Sequence, residues 1–258
     1  MMRKAIKPYT TLESLTDLCK RLYEHIGLAC GENEYFEYWA SLPYLAHQNR
    51  LMLKSLPDDP QAACDVLDEA VSIASCKSSP MFLSYCDDIT FPLGEYLKSK
   101  GMTEVFCQAG MAYLTGNVTP KQKQTVIEIG LDRLEEWCRV CDKAFGKQDD
   151  VMIYKKLLAD EKCRFYACEA DDSIVCTGMY CIDDFGINTG IHSIGTLPEY
   201  RGRGYAASVV SHIIAEAEKM NIPLLTLQAS PLGEPVYSGL SFKKYTMIHS
   251  YARVKVSR

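Results

Sequence analysis

The tetrad Arg201-Gly202-Arg203-Gly204 sets two guanidinium groups and two side-chain-free positions directly ahead of an apolar-periodic run. That run keeps Ala206, Val209, Val210, Ile213, Ile214 and Ala217 on one face, which predicts a helix over 204–220. A helix N-terminus presents unpaired N–H groups and a partial positive charge, so it attracts phosphate. Gly202 and Gly204 let backbone N–H groups converge on one anion, and Arg201 and Arg203 add charge-assisted donors. The turn, with Tyr205 and Ala206 beginning the helix, is therefore expected to seat a phosphorylated ligand. It is neither a G-x-x-x-x-G-K-[ST] loop nor a G-x-G-x-x-G loop.

The other residues able to do chemistry are scattered. Tyr237 lies in "PVYSGLSF", where a phenol that is neutral at pH 7 can donate a proton. His192, Glu169 and Asp183 are candidate bases. Cys138 and Cys141 form a C-x-x-C inside "DRLEEWCRVCDKAFG". Its helical period puts Leu134, Trp137 and both cysteines on one face, so it reads as core and not as a redox pair. The twelve cysteines are expected to be reduced and to act as small hydrophobes. No second ligand pair has zinc spacing, so no metal is expected.

The elements that must position these residues are a mixed set. The second half reads as strands at 125–130, 162–169, 173–182, 187–196 and 223–229, with a last strand from 242. Helices are expected at 132–145, 149–160, 204–220 and 232–239. "DDS" predicts a hairpin turn, and the 204–220 helix demands a crossover between parallel neighbours. The fold class is thus α/β with a mixed central sheet. "TGNVTP" (115–120) has connector chemistry, dividing the chain into 1–115 and 116–258. In the first half "TLESLTDLCKRLYEHIGLAC" (11–30) and "DDPQAACDVLDEAVSIASCK" (58–77) read as helices, and "MFLSYC" as a strand. "FPLGEYLKSKGMTEVF" (91–106) and "SPLGEPVYSGLSFKKY" (230–245) share P-L-G-E, a helical turn and a strand, the pattern of a diverged tandem repeat.

Residues 201–206 match R/Q-x-x-G-x-G/A, and the segment resembles the acetyl-CoA loop of the GCN5-related N-acetyltransferase (GNAT) family. "TLPEYRGRG" resembles that family's lead-in from its fourth strand, and "PVYSGLSF" its Y-x-x-L-G-F element, with Ser241 in place of the usual glycine. The resemblance covers residues 120 to 258 and implies the GNAT fold there. The first half, lacking the loop, would be a degenerate copy. It also implies acetyl transfer from acetyl-CoA to a primary amine of a small molecule or peptide. Backbone N–H groups of Ile194-Gly195-Thr196 would receive the acetyl and pantetheine groups, and Tyr237 would protonate the leaving thiolate. Gly190 stands where histone-type members carry glutamate, and His192 is the nearest titratable substitute.

The totals bound these readings. The 258 residues are 47% hydrophobic and 24% charged, enough for a sizeable core. A net charge of −5 argues against a nucleic-acid partner. No apolar run reaches the ~20 residues of a membrane span, and "MMRKAIKPYTTLESL" lacks a signal peptide's apolar core. A cytoplasmic protein is expected, and oligomeric state is not legible. The alternatives are a CoA-binding regulatory or scaffold module without turnover, and a transferase using a larger acyl donor.

Overall fold

The structure is a computed structural model that describes residues 7–24, 29–40, 49–76, 81–116, 122–147 and 150–253. In chain order the elements begin α1 (Pro8–Glu24), β1 (Ala29–Glu32), β2 (Phe36–Ala40), β3 (Arg50–Leu53), α2 (Pro60–Ala74) and β4 (Phe82–Cys86). They continue α3 (Leu93–Ser99), β5 (Thr103–Leu114), β6 (Ile127–Glu128), α4 (Leu134–Phe145), α5 (Val151–Ala159) and β7 (Cys163–Ala170). The chain closes with β8 (Ser173–Ile182), β9 (Asn188–Thr196), α6 (Tyr205–Lys219), β10 (Leu224–Ala229), α7 (Glu234–Gly239) and β11 (Lys243–Ala252). Two compact units result, residues 1–110 with 245–258, and residues 111–244. The division expected near 115 keeps 245–258 with the second half, whereas the contacts group that segment with the first unit. Most of the expected connector, 117–120, lies outside the described residues, as do residues 1–6 of the N-terminal segment.

In the first unit the strand order is β1-β2-β3-β4-β11-β5. The helix expected over 11–30 ends sooner, because Ala29–Glu32 pairs antiparallel with Glu37–Ala40 as a strand. β2 pairs antiparallel with β3, and β3 pairs parallel with β4. Parallel neighbours need a crossover, and α2 supplies it. Its start is built from local chemistry: Asp59 Oδ1 accepts the Ala62 N–H at 2.8 Å, and Pro60 occupies the first turn. Leu67, Ala70 and Val71 of α2 then pack with Leu51, Leu53 and Leu83 of the sheet. β1, β2 and β3 are the strands the sequence did not announce. Each is four or five residues long, too short for alternation to stand out.

In the second unit the order runs from the end of β5 through β10, β9, β8 and β7 to β6. β6 to β9 are antiparallel, and β10 is parallel to β9 through the α6 crossover. The apolar face of α6 is buried at Val209, Val210, Ile213, Ile214 and Ala217. The C-x-x-C lies on the buried face of α4 beside Trp137, as its period requires. The Trp137 ring meets Phe165 edge-on at 5.0 Å, and its Nε1–H donates to Tyr166 O at 2.9 Å.

One cysteine expectation is overturned. Cys163 and Cys181 are not separate small hydrophobes but form a disulfide. They open β7 and end β8, and hairpin register sets them directly opposite each other, with Cα atoms 4.3 Å apart. A separation of 18 positions in the sequence conceals that register. Among the described residues no helix is long and apolar enough to cross a membrane.

Candidate active site

The site is built where β9 leaves its parallel partner. The β9–β10 ladder runs from Asn188↔Leu224 to Thr226↔Gly190 and goes no further. Past that point β9 remains paired only with β8. A bulge interrupts this second pairing: Met179 faces His192 and Thr177 faces Gly195, so Gly178 meets two residues. Ser193 takes the left-handed conformation at φ 54°. Gly178 makes room for it, since a Cβ there would lie 2.5 Å from Ile194 Cδ1 and 2.6 Å from Val209 Cγ1. Leu197 N–H donates to Val175 O at 3.0 Å. Alternation along the strand therefore turns the N–H group of Thr196 away from β8, toward the splayed side.

Beyond Thr196 the chain makes a 3-10 turn, Pro198–Tyr200, and enters the Arg-Gly tetrad. Gly202 (φ 75°) and Gly204 (φ 86°) both adopt conformations that favour glycine. Gly204 is the N-cap of α6 and offers no side-chain cap, so the first-turn N–H groups keep their donors. Among the described residues nothing approaches within 4 Å of a Cβ position on Gly202, and on Gly204 only Lys123 Cδ does so, at 3.8 Å. The backbone is thus a shallow open cradle of donors.

The arginines do other work than expected. Arg201 donates from Nε to Thr196 O at 3.1 Å and from Nη2 to Ala144 O at 3.3 Å. Arg203 donates to Glu199 O at 3.1 Å and stacks its guanidinium 5.3 Å from the Tyr200 ring centroid. Both brace the loop while leaving their positive charge beside it. The segment before β6 adds a contribution that the sequence hid. The N–H groups of Lys123 and Gln124 donate to Ser208 Oγ, and Gln124 Nε2 donates to Arg203 O at 3.2 Å. Its only trace in the sequence is a polar run, KQKQ, which carries no motif.

Tyr237 is buried on α7, with its ring 6.0 Å from Phe242. Burial raises its phenol pKa well above the ordinary value, and the nearby Cys176 thiol adds to the shift. Cys176 in turn accepts a hydrogen bond from Thr196 Oγ1 at 3.3 Å, and burial pushes its own thiol up to about 12. Cys176 thus lies at the end of β9. Cys176 was read from the sequence as a core cysteine, and only the cross-strand pairing Cys176↔Thr196 places it here.

His192 does not match the sequence expectation of an imidazole near its ordinary pKa. It is only 7% exposed, its Nε2 has no hydrogen-bond partner among the described residues, and burial lowers its pKa to about 4. Such a ring is neutral at pH 7 and a weak base. The other two candidates are occupied: Glu169 is ion-paired with Arg133, and Asp183 accepts the Ile187 N–H in a turn. Gly190 lies at the last paired step of β9, opposite Thr226.

Comparison with known structures agrees with this architecture. The chain superposes on a GCN5-related N-acetyltransferase from Kribbella flavida with a TM-score of 0.73 over 96% of each chain, at 16% identity. A GCN5-related N-acetyltransferase from Sphaerobacter thermophilus gives 0.64 at 12% identity, covering 84% of this chain and 76% of that one. A functionally unknown conserved protein from Staphylococcus epidermidis gives 0.62 at 13% identity, over 88% and 94%. The fold is therefore that of the GCN5-related N-acetyltransferases. Residues 131–235 match the acetyltransferase (GNAT) family model, and this segment is a GNAT acetyltransferase domain. No curated protein sequence matches the chain.

Proposed function

We propose that the protein transfers an acetyl group from acetyl-CoA to a primary amine of a small molecule or peptide. The observation that carries this reading is the junction of β9 and α6, where one-sided strand backbone runs directly into an uncapped helix N-terminus. A CoA-type group fits it: the cradle at Gly202–Ala206 offers convergent N–H donors, and Arg201 and Arg203 hold positive charge beside it. Acetyl-CoA supplies a thioester whose carbonyl carbon is open to attack and whose thiol can leave.

The chain's own residues then divide the work. N–H groups of Gly202, Arg203, Gly204, Tyr205 and Ala206 donate to the pyrophosphate oxygens. The backbone of Ile194, Gly195 and Thr196 aligns the pantetheine arm, and the N–H groups of Ile194 and Thr196 face the carbonyl oxygen, where negative charge builds during attack. Tyr237 holds its proton through burial and presents it to the departing sulfur. An ordinary thiol has a pKa of about 8.5, so the raised phenol serves mainly as a hydrogen-bond donor, with full transfer left to solvent. His192 is neutral and lends β9 a buried polar group in place of a strong base. The acceptor accordingly enters as a free amine.

A panel of amines and peptides incubated with acetyl-CoA, followed by thiol release and product mass, tests the reading. In an accepted pair, Tyr237→Phe should lower kcat by ~10²-fold while CoA affinity stays unchanged. CoA binding with no turnover on any acceptor would favour the scaffold alternative.

A further inference from the structure

A second cluster of reactive side chains lies in the first unit, where β11 runs between β4 and β5. His249 of β11 places its Nδ1 2.7 Å from Glu104 Oε1 and 3.6 Å from Cys107 Sγ, both on β5. One ligand-capable atom from each of the three lies within 4.8 Å of the others. Glu104 and Cys107 are three residues apart, a spacing that a flat strand would set on opposite faces. The convergence is therefore a product of the local strand geometry. Tyr85, opposite His249 on β4, stacks its ring on the imidazole at 5.2 Å and fixes the ring plane.

Two readings of this trio differ in chemistry. A nucleophilic Cys–His–Glu relay needs the thiol and the carboxylate on opposite ring nitrogens, so that the imidazole can pass a proton between them. Here both address Nδ1, and the relay is not formed. Three donors directed at one point suit a cation instead. Thiolate, imidazole and carboxylate are the donor set of zinc-class ions, at about 2.3 Å from sulfur and about 2.0 Å from nitrogen or oxygen. Those bond lengths put donors about 3.5 Å apart. Sγ and Nδ1 already stand at that spacing, while Glu104 Oε1 would have to back away from Nδ1 by somewhat less than about 1 Å.

We propose that Glu104, Cys107 and His249 bind a zinc-class divalent cation that joins β11 to β5. The ion displaces the thiol proton and takes the place of the hydrogen bond between His249 Nδ1 and Glu104 Oε1. Thiolate and carboxylate then neutralise its two charges. The three side chains are partly exposed, which leaves the fourth coordination position to water. Sequence spacing could not reveal the site, because His249 lies 142 residues from Cys107. The proposal is independent of acyl transfer.

The test is titration of the full-length protein with Co²⁺ as the probe, followed by displacement with Zn²⁺. One equivalent should bind with a thiolate-to-cobalt charge-transfer band, and Zn²⁺ should abolish the band. Cys107→Ser should remove the band, and His249→Gln should weaken Zn²⁺ binding by at least ~100-fold in chelator competition. Both variants should keep the wild-type circular dichroism spectrum, with Glu104→Gln as a milder third variant. Absence of stoichiometric binding overturns the proposal. So does a band that persists in Cys107→Ser, which would place the metal on other cysteines.

Discussion

Two strand-to-helix turns in this molecule start from nearly the same tetrapeptide and end in opposite chemistry. Ser55-Leu56-Pro57-Asp58 follows β3 and leads to α2, and Thr196-Leu197-Pro198-Glu199 follows β9 and leads to α6. In both cases the preceding strand lies parallel to the strand after the helix. The first turn then closes at once. Asp59 caps α2 with its own carboxylate, and Pro60 removes a first-turn N–H. The second continues through Arg-Gly-Arg-Gly and leaves α6 uncapped. Asp58 and Asp88 line a cavity of about 560 Å³ beside the first turn, and the one lysine in its lining, Lys54, is ion-paired with Glu32. Counted back from the shared Leu-Pro, the place of His192 is held by the fully buried Leu51. A helix N-terminus attracts anions by default, and the comparison shows how little is needed to cancel that: one carboxylate and one proline.

The largest expected effect tests the open turn. Gly204→Glu puts a carboxylate where the phosphate would lie, on a residue at φ 86°. Calorimetry should show CoA affinity falling by ~100-fold or more, about 3 kcal/mol. The wild type should bind one CoA per chain, and a second equivalent would break the contrast by giving the capped turn a site of its own. Next comes the exchange of leucine for histidine. The His192 pKa is lowered to about 4 by burial, so protons bind the unfolded chain in preference. Stability from this group is present above the unfolded pKa near 6.5. It is lost as pH falls from there through about 4, a total of about 3 kcal/mol. Urea unfolding at pH 7.5 and pH 4.5 should show that loss shrinking in His192→Gln. The pH–rate profile should carry no inflection near 6.5, and one there would restore the imidazole as the base. The smallest effect belongs to the closed turn. Asp59→Ala should cost about 1 kcal/mol in urea unfolding and leave CoA affinity unchanged.

How much was legible follows from the range of each signal. The α6 helix and its glycine turn are local, and the sequence marks them within one residue of where they lie. The strands of the second unit from β7 to β10 are largely apolar runs of six to ten residues, long enough to be read in the same way. β1 to β3 are short and stabilised by pairing with one another, so no local pattern marks them. Tyr237 could be named from its motif, but the placing of Cys176 beside Thr196 depends on β8–β9 register. The arginines were readable as positive charge near phosphate, while their carbonyl partners at Thr196 and Ala144 were not.

Taken alone, the sequence determined the mixed α/β class of the second half, the arginine–glycine turn ahead of α6, the core face around Trp137 and the helix of α2 with Pro60 near its start. All of these rest on side-chain type and on periods of two or 3.6 residues, which act over a few positions. Tertiary structure decided what depends on partners distant in the chain. It set the one-sided end of β9, the Cys163–Cys181 bond, the burial that holds His192 neutral, and the meeting of His249 with Glu104 and Cys107. Register and desolvation are properties of contacts between segments, and a linear pattern carries neither.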